Sequence, residues 1–260
     1  MSALPLSFND LGDGPPVLIL HGLFGRKRNW QAIQKRLADS AHVYTADMRN
    51  HGDSPWAESM SYIDMADDLA HMIRGMNNGP VTVVGHSMGG KSAMALALRD
   101  PDVVSGLMVI DIAPVGYDHE YQPYINAMRH VPLAKLERRS EADKYLEEII
   151  TDRSIRAFLL QNLGQEDDDG LKWQVNLDAI ENDLPEILDF PDDLGDPYEG
   201  PALFLRGGTS DFVLDSHMPK IESLFPMATL DTVSGAGHWV HAEKPEDVIQ
   251  QIRDFTQRTA

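Results

Sequence analysis

Val81-Thr-Val-Val-Gly-His-Ser-Met-Gly-Gly90 is the stretch that decides how this chain folds. An apolar β-branched run ends in Gly85-His86-Ser87-Met88-Gly89, and a helical pattern, Lys91 to Leu98, follows at once. A strand that turns straight into a helix leaves no room for side chains beside the turn, so glycines stand there. The serine between them is lifted above the strand end, where a base and a substrate reach it. The bland alternative is a glycine-rich strand–helix turn that merely contains a serine. A strand before, a helix after and Gly90 alongside favour a nucleophile elbow.

Composition bounds the rest. At 260 residues, 42% of them hydrophobic, the chain is long enough for one large domain with a substantial core. It has no cysteine, which excludes disulfides and thiolate metal sites. Met1 to Asp10 lacks a basic segment followed by an apolar core, so no signal peptide is expected. No apolar run approaches membrane-spanning length. The expectation is a cytoplasmic protein. A net charge of −19 argues against nucleic acid or an anionic membrane as partner.

Three stretches differ in pattern. In the first, the apolar strands Val17 to Leu20 and His42 to Asp47 alternate with helical spacing over Trp30 to Ala38 and Tyr62 to Met76. The elbow and a strand Gly106 to Ile112 follow. Such alternation implies a mainly parallel sheet covered on both faces. From Ala113 to Gly200 the spacing predicts helices over Tyr121 to Met128, Leu133 to Ile150, Ser154 to Leu163 and Leu171 to Ile180, with no clear strand. That stretch holds 21 acidic and 8 basic residues, so −13 of the net −19. Asp167-Asp168-Asp169-Gly170 and Asp192-Asp193 read as solvated loops without metal-loop spacing. The third stretch returns to strands, Ala202 to Arg206 and Ala228 to Val233, then Gly235-Ala-Gly-His238 and a helix from Pro245 to Thr259. The simplest architecture is a sheet domain, residues 1–113 and 201–260, interrupted by a helical cap over residues 114–200.

A serine hydroxyl needs a general base. Of ten histidines, His238 is best placed, past the last strand in a glycine-rich turn. His21 and His86 lie inside turn motifs and are expected to bond to backbone. The base in turn needs a carboxylate to hold its tautomer. Asp111 ends one strand and Asp211 follows another, in Arg206-Gly-Gly-Thr-Ser-Asp211. An acid three residues beyond a glycine is Asp211 counted from Gly208, but that position is Ser210 counted from Gly207. The residues alone leave both aspartates open. His21-Gly-Leu-Phe-Gly25 after the first buried strand places the Leu23 N–H beside that of Met88, as donors for a developing oxyanion.

Together these segments resemble the α/β-hydrolase superfamily over nearly the whole chain. His21-Gly-Leu-Phe-Gly25 with Asn29-Trp30, Asp47-Met-Arg-Asn-His-Gly52, Gly85 to Lys91, Val109 to Pro114 and Gly235 to Ala242 are similar to small bacterial esterases of the YbfF type and the mitochondrial ABHD-eleven hydrolases. The resemblance implies an α/β-hydrolase fold and a carboxylesterase, with acyl thioesters as further substrates, working without metal or organic cofactor. In that family the later turn commonly lacks an aspartate and the earlier strand-end residue serves, which implies Asp111. The expected site is then Ser87 as nucleophile, His238 as base, Asp111 as acid, and Leu23 and Met88 as oxyanion donors. Two features depart from the family pattern: Asp211, and the basic Arg26-Lys27-Arg28. That cluster either holds the phosphates of a CoA leaving group or, the favoured reading, pairs with carboxylates of the cap. Tyr117, Tyr121, Tyr124, Phe158, Leu160 and Trp173 are candidate pocket lining. Carbon–carbon hydrolysis or perhydrolysis with the same residues is the rival reaction, and a non-catalytic ligand receptor the rival class.

Overall fold

The apolar runs become the strands of one sheet, and the chain order of its elements sets where the reactive loops emerge. The computed structural model describes residues 3–166 and 170–259; the acidic run at 167–169, read above as a solvated loop, lies outside the described residues, as do residues 1, 2 and 260. The first part supplies β1 (Phe8–Leu11), β2 (Pro16–Leu20), α1 (Gln31–Leu37), β3 (His42–Ala46), α2 (Tyr62–Met76), β4 (Val81–His86), α3 (Met88–Arg99) and β5 (Val104–Ile110). An insertion follows, with α4 (Gln122–His130), α5 (Arg139–Glu147), α6 (Arg153–Leu159), β6 (Leu163–Glu166), β7 (Gly170–Trp173), α7 (Leu177–Asn182) and α8 (Leu184–Leu188). Then come β8 (Ala202–Gly207), α9 (Met218–Leu224), β9 (Ala228–Val233), α10 (Val240–Glu243) and α11 (Pro245–Thr259).

Seven strands form the sheet in the order β1-β3-β2-β4-β5-β8-β9, all parallel except β1, which runs antiparallel to β3 at the edge. Successive side chains of a strand point to opposite faces, and this separates two cores. Val17 and Ile19 pack with Ile33 and Leu37 of α1 and Val248 and Ile252 of α11. Leu18 and Leu20 face the other way, toward Met65 and Leu69 of α2 and Met94 of α3. β4 is buried along its whole length, as a parallel strand covered on both faces must be. Helix α2 matches its expected span because both ends are marked. The Ser61 side chain accepts the Asp64 N–H at its start, and Asn77 ends it at φ 54°. β1 carries no apolar alternation, since all four of its residues are exposed, and nothing in the sequence marked it.

The insertion departs from the all-helical expectation. Leu171 to Ile180 is not one helix: β7 pairs antiparallel with β6, Leu163 opposite Trp173, and only α7 beyond it is helical. Leu171, Trp173 and Val175 alternate with polar residues, a period of two, and β7 opens on Gly170 at φ 84°. Leu133 to Ile150 is broken too. The Glu141 carboxylate accepts the N–H groups of Glu137 and Arg138, which starts α5 at Arg139 and leaves only a short 3₁₀ turn, Leu133–Lys135, before it. α6 starts under the Asp152 carboxylate and stops at Leu159, short of the expected Leu163. The insertion's buried side chains, Met128, Leu146, Trp173 and Ile180 among them, form one continuous apolar cluster with those over α2 and α3. Among the described residues no helix is long and apolar enough to cross a membrane.

Candidate active site

Ser87 stands between β4 and α3 at φ 52°, ψ −122°, a conformation that costs a non-glycine residue and persists only where its surroundings enforce it. The enforcement is local. A Cβ on Gly85 would lie 2.2 Å from the Gly89 carbonyl oxygen, and one on Gly89 2.5 Å from that of His21. Only glycines permit so close an approach of strand, helix and the loop after β2. The Ser87 N–H bonds to the Ile110 carbonyl across the sheet, 3.1 Å, which ties the turn to the end of β5.

Asp111 follows β5 directly, fully buried, at φ 53°. Its Oδ1 accepts the Gly207 N–H at 2.8 Å, and its Oδ2 accepts the Ser210 hydroxyl at 2.5 Å and His238 Nδ1–H at 2.8 Å. With Nδ1 donating, the neutral ring keeps Nε2 free to take a proton. Phe212 stacks on the ring, centroids 3.8 Å apart, and His86 Nε2–H holds the His238 carbonyl at 2.9 Å. The ambiguity of the later turn is thereby resolved in an unexpected way. Asp211 is exposed. The position three residues beyond Gly207 belongs to Ser210, which donates to the aspartate of the other turn.

Ser87 and His238 line one cavity of about 280 Å³. Leu23 also lines it, and Met88 begins α3 beside Ser87. Among the described residues neither the Leu23 nor the Met88 N–H has a protein acceptor. Of the expected lining, Tyr121, Tyr124 and Phe158 reach the cavity. Tyr117 lines a small recess beside it. Leu160 and Trp173 are instead buried in the insertion's core, the Trp173 Nε1–H on the Met128 carbonyl. His119, Phe212 and Trp239 line the cavity as well; Trp239 lies in the Gly235 to Ala242 motif, though not as an expected lining residue, and no periodicity marked His119 or Phe212. A larger groove of about 920 Å³ adjoins it, sharing Asn29, Phe158, Trp239 and His241.

The family model for the alpha/beta hydrolase fold matches residues 15–245. The chain belongs to the α/β-hydrolase family. The mouse protein named sn-1-specific diacylglycerol lipase ABHD11 is 43% identical, over 97% of this chain and 85% of its own length. Esterase YbfF of Escherichia coli is 33% identical, over 92% of each chain. The solved structure of a marine microorganism esterase is 40% identical, with a TM-score of 0.94, covering 97% of this chain and all of that one.

Burial lowers the pKa of four other histidines around this site, His21, His51, His86 and His241. His21 bonds to backbone on both ring nitrogens, accepting the Met48 N–H at 3.0 Å and donating to the Gly22 carbonyl at 2.8 Å. Burial lowers its pKa. His86 is likewise spent on backbone, and burial, then the neighbouring His241 and His238, carries it well below the usual histidine range. Burial also brings His51 and His241 down to about 3; His241 lies stacked on Trp30. The sequence-based expectation of backbone partners for His21 and His86 therefore holds.

The basic cluster is mostly consumed by structure, though not by the acidic insertion. Lys27 Nζ bonds Asp47 at 2.6 Å and Asp53 at 2.7 Å, both carboxylates of the sheet part of the chain. Arg26 reaches Gln174 at 2.6 Å and the Gln161 carbonyl at 3.3 Å, so its bonds to the insertion are to amide groups. Arg28 alone is exposed, on the outer groove. Lys91, the last residue of the elbow motif, is buried. Its Nζ donates to the Leu188 and Asp189 carbonyls at 2.9 and 2.7 Å, over the Tyr117 ring. Burial pushes its pKa down to about 7. Among the described residues no group of three or more His, Asp or Glu side chains is arranged to hold a metal ion.

Proposed function

We propose that the protein is a serine carboxylesterase, with Ser87, His238 and Asp111 as its triad and residues 114–200 as a cap over the acyl pocket. The observation that carries this reading is the Asp111–His238 bond, formed at the edge of the cavity into which the strained Ser87 turn faces. Ser87 Oγ attacks the ester carbonyl while His238 Nε2 takes its proton, and buried Asp111 stabilises the imidazolium. The N–H groups of Leu23 and Met88 receive the negative charge that develops on the carbonyl oxygen. Collapse expels the alcohol, protonated by His238. Water, deprotonated by the same ring, then releases the acid from Ser87.

The aromatic and aliphatic lining, Tyr121, Tyr124, Ile155, Phe158 and Phe212, suits an apolar acyl group. Ester cleavage is also what the names of the mouse and Escherichia coli relatives state of those proteins. Oxygen esters are favoured over CoA thioesters. A clamp on CoA phosphates needs several free cations, and of the cluster only Arg28 is exposed. The test is a panel of nitrophenyl esters and acyl-CoA thioesters on the intact chain, with a fluorophosphonate adduct mapped by mass spectrometry. Ester turnover with the adduct on Ser87 is expected. Binding of the panel without turnover would make the protein a receptor, and an adduct elsewhere would overturn the triad.

A further inference from the structure

The Leu23 N–H is aimed by a chain of bonds that leaves the sheet domain. Its peptide plane also carries the Gly22 carbonyl, which accepts both His21 Nδ1–H at 2.8 Å and the Gly25 N–H at 2.9 Å. In a trans peptide the N–H points opposite to that carbonyl, so the two bonds fix its direction. The Gly25 bond closes a four-residue turn, and the third residue, Phe24, sits at φ 59°. That position favours glycine or asparagine; a phenylalanine there must be held. Two fully buried side chains hold it. His51 Nε2 accepts the Phe24 N–H at 3.1 Å, and Asn162 Nδ2 donates to the Phe24 carbonyl at 2.6 Å.

These two holders come from different parts of the molecule. His51 follows β3. Asn162 lies in the insertion, in the short turn between α6 and β6. They are joined to each other. The Gln174 N–H donates to the Asn162 carbonyl at 2.7 Å, and the Gln174 carbonyl accepts the N–H of Gly52, next to His51, also at 2.7 Å. The bonds run in a closed ring: Phe24, His51, Gly52, Gln174, Asn162 and back to Phe24.

We propose that Asn162 is a positioning residue for the oxyanion hole: it locks the Phe24 turn that aims the Leu23 N–H, so transition-state stabilisation depends on the insertion being seated. The inference rests on the hydrolase reading above, in which Leu23 is an oxyanion donor. Misaiming one donor is expected to lower kcat by about 10- to 100-fold, less than the loss of a whole donor, with KM changed less than about twofold because the ground-state ester leans little on that bond.

The experiment uses the intact chain and the variants Asn162→Ala, Asn162→Asp and Asn162→Ser, each checked for folding by circular dichroism. Asn162→Ser keeps a donor too short to reach and serves where another variant does not fold. Turnover of nitrophenyl butyrate is compared with inhibition by an alkyl trifluoromethyl ketone, which forms an oxyanion on the serine. The expected signature is an inhibition constant that rises by the same factor by which kcat/KM falls. His51→Gln should give the same signature, and the double variant less than the product of the two, since both hold one residue, Phe24, through its N–H and its carbonyl. A folded Asn162 variant with unchanged kcat, with a loss confined to KM, or with lower kcat but undiminished ketone affinity overturns the inference. An inactive wild type overturns the hydrolase reading and this inference together, whereas an active wild type with indifferent Asn162 variants overturns this inference alone.

Discussion

The loops beyond the strand ends and the insertion above them are built in opposite ways. Phe24, Asn50, Ser87 and Asp111 stand in the loops after β2, β3, β4 and β5, one in each, and all four have positive φ. Among the described residues the remaining non-glycine of this kind, Asn77, ends a helix. In the insertion, among the described residues, only Gly170 and Gly195 have positive φ. Positive φ at non-glycine residues is thus concentrated in the loops around the candidate site, and the parallel strands beneath hold it. The insertion is made of short helices, α6 and α7 capped by Asp152 and Asn176, and an antiparallel strand pair. It contributes Tyr121, Tyr124, Ile155 and Phe158 to the cavity lining and is tied to the loop after β2 by Asn162, to α2 by Tyr62–Ile187 and to α3 by Lys91. Substitutions in the loops should therefore remove chemistry, and substitutions at the ties should loosen binding or aim.

The hardest test of that contrast is Ser87→Ala. It should lower kcat for ester hydrolysis by about 10⁴-fold or more and abolish fluorophosphonate labelling, as loss of a triad nucleophile does elsewhere. Surviving label in a gel assay would place the nucleophile outside the strained loops. Next comes the pair of aspartates. Asp111→Asn leaves His238 in the wrong tautomer, and a loss approaching about 10⁴-fold in kcat is expected. Asp211→Asn, at an exposed residue, should change kcat by less than about twofold. Steady-state kinetics on both folded proteins decide the matter, and a dead Asp211→Asn enzyme would reverse the assignment.

Lys91→Met tests the contrast at a tie. It removes the ammonium from the Leu188 and Asp189 carbonyls, so KM should rise several-fold while kcat falls less. It also has a pH signature. The folded-state pKa near 7 lies below the usual 10.5, so between those values the unfolded chain binds more protons and stability rises with pH. Denaturant titrations across that window should show a flatter slope in the variant; an equal slope would mean that the buried amine does not titrate as its surroundings dictate. The smallest effect is expected at His241. With its pKa brought to about 3 by burial, it contributes stability above pH 6.5 that is lost as pH falls toward 3. His241→Gln should soften acid unfolding and leave turnover at mildly alkaline pH nearly untouched. A large loss of turnover would give His241 a part in the chemistry.

The candidate nucleophile and base were legible because each sits in a short local signal. Gly85-His-Ser-Met-Gly89 announces a sharp turn, since only glycines fit its flanks, and Gly235-Ala-Gly-His238 presents a histidine beyond the last strand. The strand–helix alternation around them sets the sheet. Within the insertion the helical spacing misled at Leu171 to Val175, where a period of two was present but short, and β1 was silent because an exposed edge strand needs no apolar face.

By itself, then, the sequence determined the sheet, the elbow, and the residue types available for acyl chemistry. These depend on sterics and on apolar periodicity, which are properties of neighbours in the chain. Which aspartate faces His238 was decided only in three dimensions. Asp111 and His238 are 127 residues apart, and the choice rests on where β5 and β8 lie side by side. The same holds for Ser210 on Asp111 and for Asn162 on Phe24, 99 and 138 residues apart. A hydrogen bond between distant residues is specified by the packing of the elements that carry them, and no local pattern in either segment records it.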